Sequence, residues 1–174
     1  MSHFKTIYAS RAADYQRMIG YEDYRGLLLP TLDSIRPLAG LDVVEFGAGT
    51  GRLSVLLAPS VRCLRAYDAS PYMLAVARRR LAATGRRNWR LGVADNAHLP
   101  APDACADLAV EGWSFGHLTG WYPDTWREEV RGPLAEMRRV LRPGGTAVVI
   151  ETLGTGGETP QPPKIGRASW RESV

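Results

Sequence analysis

Five short apolar runs alternate along the chain with segments of helical periodicity. The runs are predicted as strands over residues 41–46, 61–67, 89–93, 107–110 and 146–151. Most are apolar at consecutive rather than alternate positions, which is typical of parallel strands buried on both faces. The pattern therefore predicts an α/β fold, a doubly wound and mostly parallel sheet of about five strands flanked by helices.

Two of the segments between these runs carry helix start signals. Ser70 followed by Pro71 is typical of an N-cap with proline at the first helical position. The sequence between Thr125 and Glu128 resembles a capping box. A further helix is predicted over residues 53–58. The apolar positions predicted for the helix after Ser70 are Met73, Leu74, Ala77 and Leu81.

Proline at position 133 should break or kink the segment that starts at the capping box, because proline has no N–H to donate. After the break, Leu134, Met137 and Leu141 recur at helical spacing and predict one apolar stripe. The residues at 142–145 are then expected to stop the helix and to turn into the fifth strand.

Three glycines stand at alternate positions after the first strand, namely Gly47, Gly49 and Gly51. Glycine permits a tight turn and a close approach of backbone to ligand, and the helix that follows offers unpaired N–H groups. The stretch therefore predicts a ligand cradle. The dinucleotide pattern G-x-G-x-x-G fits it poorly, because Arg52 occupies the place of its last glycine and Glu45 suits a cationic ligand better than a pyrophosphate.

Acidic side chains stand at or just after the ends of four successive predicted strands: Glu45, Asp68, Asp95 and Glu111. The carboxyl ends of parallel strands meet at one edge of the sheet, where ligands bind near the topological switch point. We expect the four acids to focus negative potential on one cleft. Such a cleft suits a ligand that carries positive charge, ribose hydroxyls and an exocyclic amine.

The E-x-G-x-G-x-G pattern, the acid at position 68 and L-R-P-G-G at 141–145 together resemble class I S-adenosylmethionine-dependent methyltransferases, in their small-molecule branch of types 11 and 25. The resemblance covers residues 41 to about 151 and implies a Rossmann-like fold. It implies S-adenosyl-L-methionine as cofactor and methyl transfer to an oxygen, nitrogen or carbon atom of a small-molecule acceptor. The residues expected at the cofactor are Tyr15, Glu45, Gly47, Ala48, Gly49, Gly51, Asp68, Ala69, Ala94, Asp95, Asn96 and Glu111.

The resemblance assigns particular roles to two of these acids. Asp68 is expected to accept both ribose hydroxyls, and it also stands where it can cap the helix that starts near Ser70. Asp95 is expected near the adenine amino group, with Ala94 and Asn96 supplying backbone contacts to the ring.

Residues 111–117, at the end of the fourth strand, are where the acceptor is expected. The segment lacks the Asn-Pro-Pro-Tyr motif of adenine and glutamine N-methyltransferases, and no Pro-Cys pair is present for pyrimidine C5 methylation. His117 is predicted as general base, since histidine titrates near neutrality, with a structural histidine as the alternative. Glu111 is predicted to orient the donor's ammonium group or the acceptor.

Aromatic residues near this segment leave two interpretations open. Trp113, Trp121 and Tyr122 either line an apolar acceptor pocket or fill the core. Arg52 is either a surface residue or a contact for a carboxylate.

Composition narrows the range of partners. The chain of 174 residues has a net charge of +4, and its length fits one domain. We interpret an arginine cluster between positions 78 and 90 as the solvated face of a helix and its following loop, and expect no nucleic-acid partner. The alternative is a nucleic-acid patch. The arginines are Arg78, Arg79, Arg80, Arg86, Arg87 and Arg90.

Cys63 and Cys105 are predicted to be reduced and buried, with neither a metal nor a disulfide. No apolar run is long enough for a membrane span, and the N-terminus lacks the apolar core of a signal peptide. The sequence therefore predicts a cytoplasmic protein without membrane association.

The predicted organisation is a methyltransferase domain over residues 1–153, whose residues 1–36 form a helical lid, followed by a disordered Gly/Pro-rich tail at 154–174. This chain is expected to lack the antiparallel edge strands that usually end the fold. Residues 165–174 resemble translated sequencing adapter.

Three rival hypotheses for the function remain open. They are a nucleotide-binding oxidoreductase, a fragment that binds the donor without transferring the methyl group, and a methyltransferase acting on RNA or protein.

Overall fold

A computed structural model of the chain describes Asp23 and residues 25–151. Its strands are β1 (Asp42–Phe46), β2 (Cys63–Asp68), β3 (Trp89–Val93), β4 (Ala106–Gly112) and β5 (Leu141–Ile150). Its helices are α1 (Leu28–Ile35), α2 (Arg52–Leu57), α3 (Pro71–Ala83), α4 (His117–Trp121), α5 (Trp126–Glu129) and α6 (Arg131–Val140).

The five strands form one parallel sheet in the order β3-β2-β1-β4-β5. The chain moves outward from β1 to β3 and then returns to place β4 on the other side of β1. The order thus reverses between β1 and β4, and the carboxyl ends of these strands form the topological switch point. This confirms the predicted Rossmann-like α/β fold with a parallel sheet.

The core lies on both faces of the sheet, because the strands are apolar at consecutive positions. One face packs Val43 against Leu53 of α2 and Leu74 of α3, and Leu32 of α1 joins the same cluster. The opposite face packs Phe46 with residues that include Met137 of α6. Helices therefore cover both faces and leave the carboxyl edge of the sheet as the open side.

Helix α3 follows its sequence signals closely. The hydroxyl of Ser70 accepts the N–H of Met73 at 3.3 Å, and Pro71 takes the first helical position. The four side chains predicted as apolar contacts are all buried: Met73, Leu74, Ala77 and Leu81.

The capping box predicted at Thr125 is wrong, since the threonine makes no side-chain cap and α5 is one short turn. The predicted apolar stripe is also wrong. Helix α6 begins at Arg131, so its proline lies in the first turn, where the missing N–H has no intrahelical partner to lose. Leu134 is 45% exposed, whereas the face turned inward contains Glu136 and Met137.

Glu136 can face inward because its carboxylate is fully engaged. It accepts the N–H of Leu99 at 2.7 Å and the guanidinium of Arg139 at 2.6 Å. Leu141, predicted as the end of the stripe, is the first residue of β5. Residues 142–145, predicted as a turn, form an irregularity inside that strand, where the register with β4 shifts.

Charged side chains join the amino ends of the strands, opposite the open edge. Asp42 pairs with Arg62 at 2.6 Å and with Arg142 at 2.9 Å, and Arg142 also reaches Asp107 at 2.9 Å. The start of β5 is thereby tied to both β1 and β4.

Cys63 and Cys105 are free and only partly buried, so the prediction that both are buried is wrong. Among the described residues, no helix combines the length and the apolar character needed to cross a bilayer. The same residues contain no group of three His, Cys, Asp or Glu side chains arranged to hold a metal ion. The cytoplasmic location stays a prediction.

Substituting two glycines that share one backbone angle distinguishes the energetic cost of backbone strain from that of side-chain crowding. Gly40 and Gly51 both have φ of 79°, but only at Gly51 would a Cβ meet a neighbour, Ala77 Cβ at 3.0 Å. We expect Gly40→Ala to lower the free energy of unfolding by about 1–2 kcal/mol through strain alone. Gly51→Ala should cost about 1 kcal/mol or more beyond that, because α2 and α3 must separate. Urea unfolding of both variants measures the difference. Equal losses of unfolding free energy would show that α2 and α3 can move apart at no cost.

Candidate functional site

The loop between β1 and α2 has a left-handed backbone at each of its three glycines. The φ angles are 62° at Gly47, 55° at Gly49 and 79° at Gly51, a region that disfavours residues with a Cβ. The N–H of Gly51 donates to the carbonyl of Ala48 at 2.8 Å, and the N–H of Ala48 donates to Tyr67 O at 2.8 Å. The loop is therefore a fixed turn anchored on the end of β2.

The glycines differ in what surrounds them. A Cβ on Gly47 would lie 2.1 Å from the hydroxyl oxygen of Ser114, so the loop touches the segment that follows β4. A Cβ on Gly49 would meet no side chain closer than Met73 Cε, at 3.8 Å. A Cβ at Gly49 would therefore make only ordinary van der Waals contacts, so this position is less crowded than Gly47 or Gly51.

Asp68, the last residue of β2, ties this loop to the start of α3. Its Oδ2 accepts the N–H of Gly49 at 2.8 Å, and its Oδ1 accepts the N–H of Ser70 at 2.7 Å. A carboxylate oxygen has two acceptor positions, so each oxygen has capacity for one more hydrogen bond. Asp68 thus joins the glycine loop to the start of α3, while Ser70 acts as the N-cap of that helix.

Glu45 points into the protein rather than towards the open edge. It is 2% exposed, and the hydroxyl of Ser54 donates to its Oε2 at 2.5 Å. Burial raises the pKa of Glu45 to about 8, so the carboxyl is mostly protonated at neutral pH. Its contribution to negative potential at the edge is correspondingly small.

Glu111, near the end of β4, is also fully buried. Its Oε2 accepts the N–H groups of Ser114 at 3.0 Å and Phe115 at 3.2 Å, and its Oε1 accepts the N–H of Ile150 at 3.2 Å. Burial raises its pKa to about 7. The side chain holds the turn after β4 against β5, so any effect on a ligand passes through that turn.

Asp95 and Asn96 follow β3 at the same edge. Asp95 is exposed and accepts the N–H of Ala97 at 2.8 Å. The side-chain amide of Asn96 donates to the Ser114 hydroxyl at 2.9 Å. Since Ser114 also lies against Gly47, this bond joins the end of β3 to the glycine loop.

Two of the three alanines predicted at the cofactor also lie beside Asp68. Ala69 follows it directly and is exposed, and the N–H of Ala94 donates to Asp68 O at 3.1 Å. Every predicted cofactor residue that the structure describes lies near the carboxyl end of β1, β2, β3 or β4 or in the segment that follows it, and Glu45 and Glu111 are buried there. Tyr15 lies outside the described residues, as does most of the predicted lid.

His117 is the first residue of α4. Its ring stacks on Trp121 with centroids 5.3 Å apart and an interplanar angle of 22°. Burial lowers the pKa of the imidazole, so the ring is neutral at physiological pH and able to take up a proton. Its assignment as general base stays a prediction.

The three aromatic residues of this region, Trp113, Trp121 and Tyr122, differ in how far they are buried. Trp121 and Tyr122 are 40% and 45% exposed. Trp113 is partly buried and packs at the border of the core. The guanidinium of Arg52 lies 3.7 Å from the centroid of the Trp113 ring, so Arg52 stacks on an aromatic face.

Sequence reasoning missed two serines that organise the site. Ser54 hydrogen-bonds Glu45, and Ser114 contacts both Asn96 and Gly47. No spacing in the sequence marks either residue, because each bond joins elements that the fold brings together. The one feature of the sequence that points to Ser114 is its position shortly after Glu111, the acid at the end of the fourth strand.

The raised pKa of Glu45 predicts how stability depends on pH. Because folding favours the protonated carboxyl, its stabilising contribution is complete below pH 4.5 and is lost as pH rises towards 8. For one such group, the free energy of unfolding falls by about 1.4 kcal/mol per pH unit inside that window. We therefore expect Glu45→Gln to show a shallower decline than the unsubstituted chain between pH 5.5 and 7.5, measured by urea unfolding.

A matched control for this experiment is Glu128→Gln, which changes an exposed glutamate on α5. Its stability curve should run parallel to that of the unsubstituted chain. If the Glu45→Gln curve is parallel as well, the buried carboxyl does not retain its proton on folding.

A family model described as "Methyltransferase domain" matches residues 43–145. Among curated proteins, the chain is 33% identical over 113 residues to a demethylmenaquinone methyltransferase of Tropheryma whipplei, which covers 65% of this chain and 42% of that protein. It is 34% identical over 117 residues to a malonyl-(acyl-carrier protein) O-methyltransferase of Serratia marcescens, covering 67% and 40%. The chain therefore spans about two fifths of the length of these relatives.

A similar solved structure is phosphoethanolamine N-methyltransferase 1 of Haemonchus contortus, in complex with phosphoethanolamine and S-adenosylhomocysteine. It superposes with a TM-score of 0.60 at 25% identity, over 75% of this chain and 26% of that chain.

Proposed function

This chain belongs to the methyltransferase domain family, and we propose that it binds S-adenosyl-L-methionine and that the protein transfers the methyl group to an oxygen, nitrogen or carbon atom of a small-molecule acceptor. The match of the family model over residues 43–145 supports this. The activity belongs to the proposal, since the curated relatives are more than twice as long as the matched region.

The observation that carries the proposal is the position of Asp68. Its two oxygens already hold the N–H groups of Gly49 and Ser70, which fixes the carboxylate at the open edge beside the glycine loop. A ribose with two adjacent hydroxyls needs two acceptors at such a fixed spacing, and one carboxylate supplies both. A pyrophosphate at this place would meet the negative charge of Asp68 instead.

The residues around Asp68 fit the rest of the cofactor. At Gly49 no side chain crowds the backbone of the loop, and a glycine lets a ligand approach that backbone closely. Ala69 and Ala94 have small side chains beside Asp68, which leaves room for the adenine. Asn96 is placed next to them, and its amide is oriented by the bond to Ser114.

S-adenosyl-L-methionine supplies an activated methyl group, so the protein must orient the acceptor and accept its proton where it has one. We assign the proton to a ring nitrogen of His117, whose imidazole is kept neutral by burial. Glu111 is a positioning residue in this scheme, because both of its oxygens hold backbone N–H groups of the turn next to the site.

The names of similar proteins do not select one acceptor. One methylates demethylmenaquinone, a second malonyl-(acyl-carrier protein) and a third phosphoethanolamine. These acceptors differ in charge, size and the atom methylated, so the acceptor must be inferred from the residues of this chain.

Calorimetric titration of the full chain with S-adenosylhomocysteine tests the cofactor, with NADH as control ligand. We expect S-adenosylhomocysteine to bind and NADH to produce no heat of binding. Binding of NADH alone would support a nucleotide-binding oxidoreductase and contradict the proposal.

Asp68→Asn tests the residue that carries the proposal. The amide keeps the side-chain shape but replaces one charged acceptor by a donor, which removes one or two charge-assisted hydrogen bonds. At about 1.5–3 kcal/mol each, we expect the affinity for S-adenosylhomocysteine to fall about tenfold or more. The matched control is Asp107→Asn, which removes an acid at the amino edge of the same sheet and should leave affinity unchanged. Equal affinities of Asp68→Asn and the unsubstituted chain would show that the ribose is not held there.

A further inference from the structure

A second concave feature lies beside the proposed cofactor site. It is a cavity of about 500 Å³ between α1 and the carboxyl end of β5. The cavity opens on the face of the sheet that α1, α2 and α3 cover. Its apolar wall is formed by Leu28, Leu32, Ile35, Trp113, Val148 and Ile150.

The cavity adjoins the glycine loop. Arg52 and Trp113 both line it, and Arg52 is the residue directly after Gly51. Trp113 directly follows β4, whose last residue, Gly112, would place a Cβ 2.7 Å from Leu53 of α2. The stacked pair of Arg52 and Trp113 therefore forms the part of the cavity wall that is next to the loop.

Trp113 is held in an unusual conformation at this wall. Its φ is 59°, a left-handed backbone that is strained for a bulky residue and costs on the order of 1–3 kcal/mol. The N–H of Trp113 donates to Ile150 O at 2.8 Å, and Arg52 stacks on its ring. The surrounding residues thus keep a large indole at the wall between loop and cavity, where a packing role alone would be met by an unstrained side chain.

The charged residues that line the cavity balance one another in charge. Asp23 and Glu151 supply two acids, and Arg25 and Arg52 supply two bases. An ionised ligand would lose hydration on entering, and no excess of charge is present to compensate it. The volume falls within the range that binds small organic molecules in largely apolar pockets.

We propose that this cavity receives the methyl acceptor, and that the acceptor is an uncharged, largely apolar molecule with a ring system. The apolar wall between α1 and β5 holds the ring by burial of its surface, and Trp113 offers an aromatic partner. This inference rests on the proposed function, because the methyl donor must lie on the loop next to the cavity. It selects an acceptor class that excludes phosphorylated and carboxylated small molecules.

The test uses 2-naphthol as a neutral apolar probe, phosphoethanolamine as a charged probe and the full chain. Thr31 lines the cavity, and Ser34 is exposed on the same helix outside the lining. Thr31→Trp fills the cavity, and Ser34→Trp is the matched control that adds the same side chain elsewhere on α1. Titration calorimetry measures the affinity of each protein for both probes and for S-adenosylhomocysteine.

We expect 2-naphthol to bind the unsubstituted chain and Ser34→Trp equally, and Thr31→Trp about tenfold more weakly or not at all. Phosphoethanolamine should bind none of them, and S-adenosylhomocysteine should bind all three alike. The inference is overturned if 2-naphthol fails to bind, as it would if residues 1–22 or another protein fill the cavity. It is also overturned if Thr31→Trp leaves the affinity for 2-naphthol unchanged, or if phosphoethanolamine binds as well as 2-naphthol.

The two proposals fail in different ways. Loss of 2-naphthol affinity in Thr31→Trp together with no binding of S-adenosylhomocysteine would establish the apolar cavity and contradict the cofactor. Binding of S-adenosylhomocysteine without a cavity effect would support the cofactor and contradict the acceptor class.

Discussion

The close approach of the glycine loop to its neighbours is the constraint on which the site depends. Gly47 leaves room for Ser114 beyond β4, Gly51 leaves room for Ala77 of α3, and Gly49 donates its N–H to Asp68 at the end of β2. The contacts at Gly47 and Gly51 require a residue without a Cβ. The contact at Gly49 requires that its backbone N–H point towards Asp68. The loop thereby joins elements on both sides of the topological switch point, and the same left-handed turn leaves Gly49 less crowded than Gly47 and Gly51.

The four acids of the carboxyl edge illustrate how position decides chemistry. Asp68 and Asp95 are engaged by backbone N–H groups yet keep acceptor capacity near the surface, so they are suited to bind a ligand. Glu45 and Glu111 have longer side chains that turn inward, and burial raises the pKa of both carboxyls. Their hydrogen bonds hold α2 and the turn after β4 in place. Of four acids in equivalent sequence positions, Asp95 is therefore exposed, whereas Asp68 is partly buried, with its pKa also raised by burial, and joins the glycine loop to the start of α3. The two glutamates support the frame from inside.

Local signals account for most of what the sequence predicts correctly. The bounds of β3, the cap at Ser70 and the buried face of α3 follow from residues close together in the chain. The sequence predictions are wrong where a residue far away in the chain determines whether a side chain is buried. Glu136 takes an inward position that an apolar residue would normally hold, because Leu99 and Arg139 satisfy its carboxylate. The roles of Ser54 and Ser114 likewise depend on strands and loops that are far apart in sequence, so spacing alone cannot reveal them.

The proposed site divides along the switch point into a proposed donor half and a proposed acceptor half, which have different supports. The donor half is built from β1, β2 and the start of α3, and its key bonds converge on Asp68. The acceptor half is built from α1, β4 and β5. There Glu111 accepts the N–H of Ile150 as well as those of Ser114 and Phe115, and Glu151 accepts the N–H of Gly116. Two carboxylates from adjacent strands thus hold the turn that carries Trp113 and leads into His117. This turn contacts the glycine loop through Ser114, and Trp113 stacks with Arg52 at the start of α2. Under the proposed function, substitutions in the acceptor wall should therefore change the choice of acceptor more than they change donor binding.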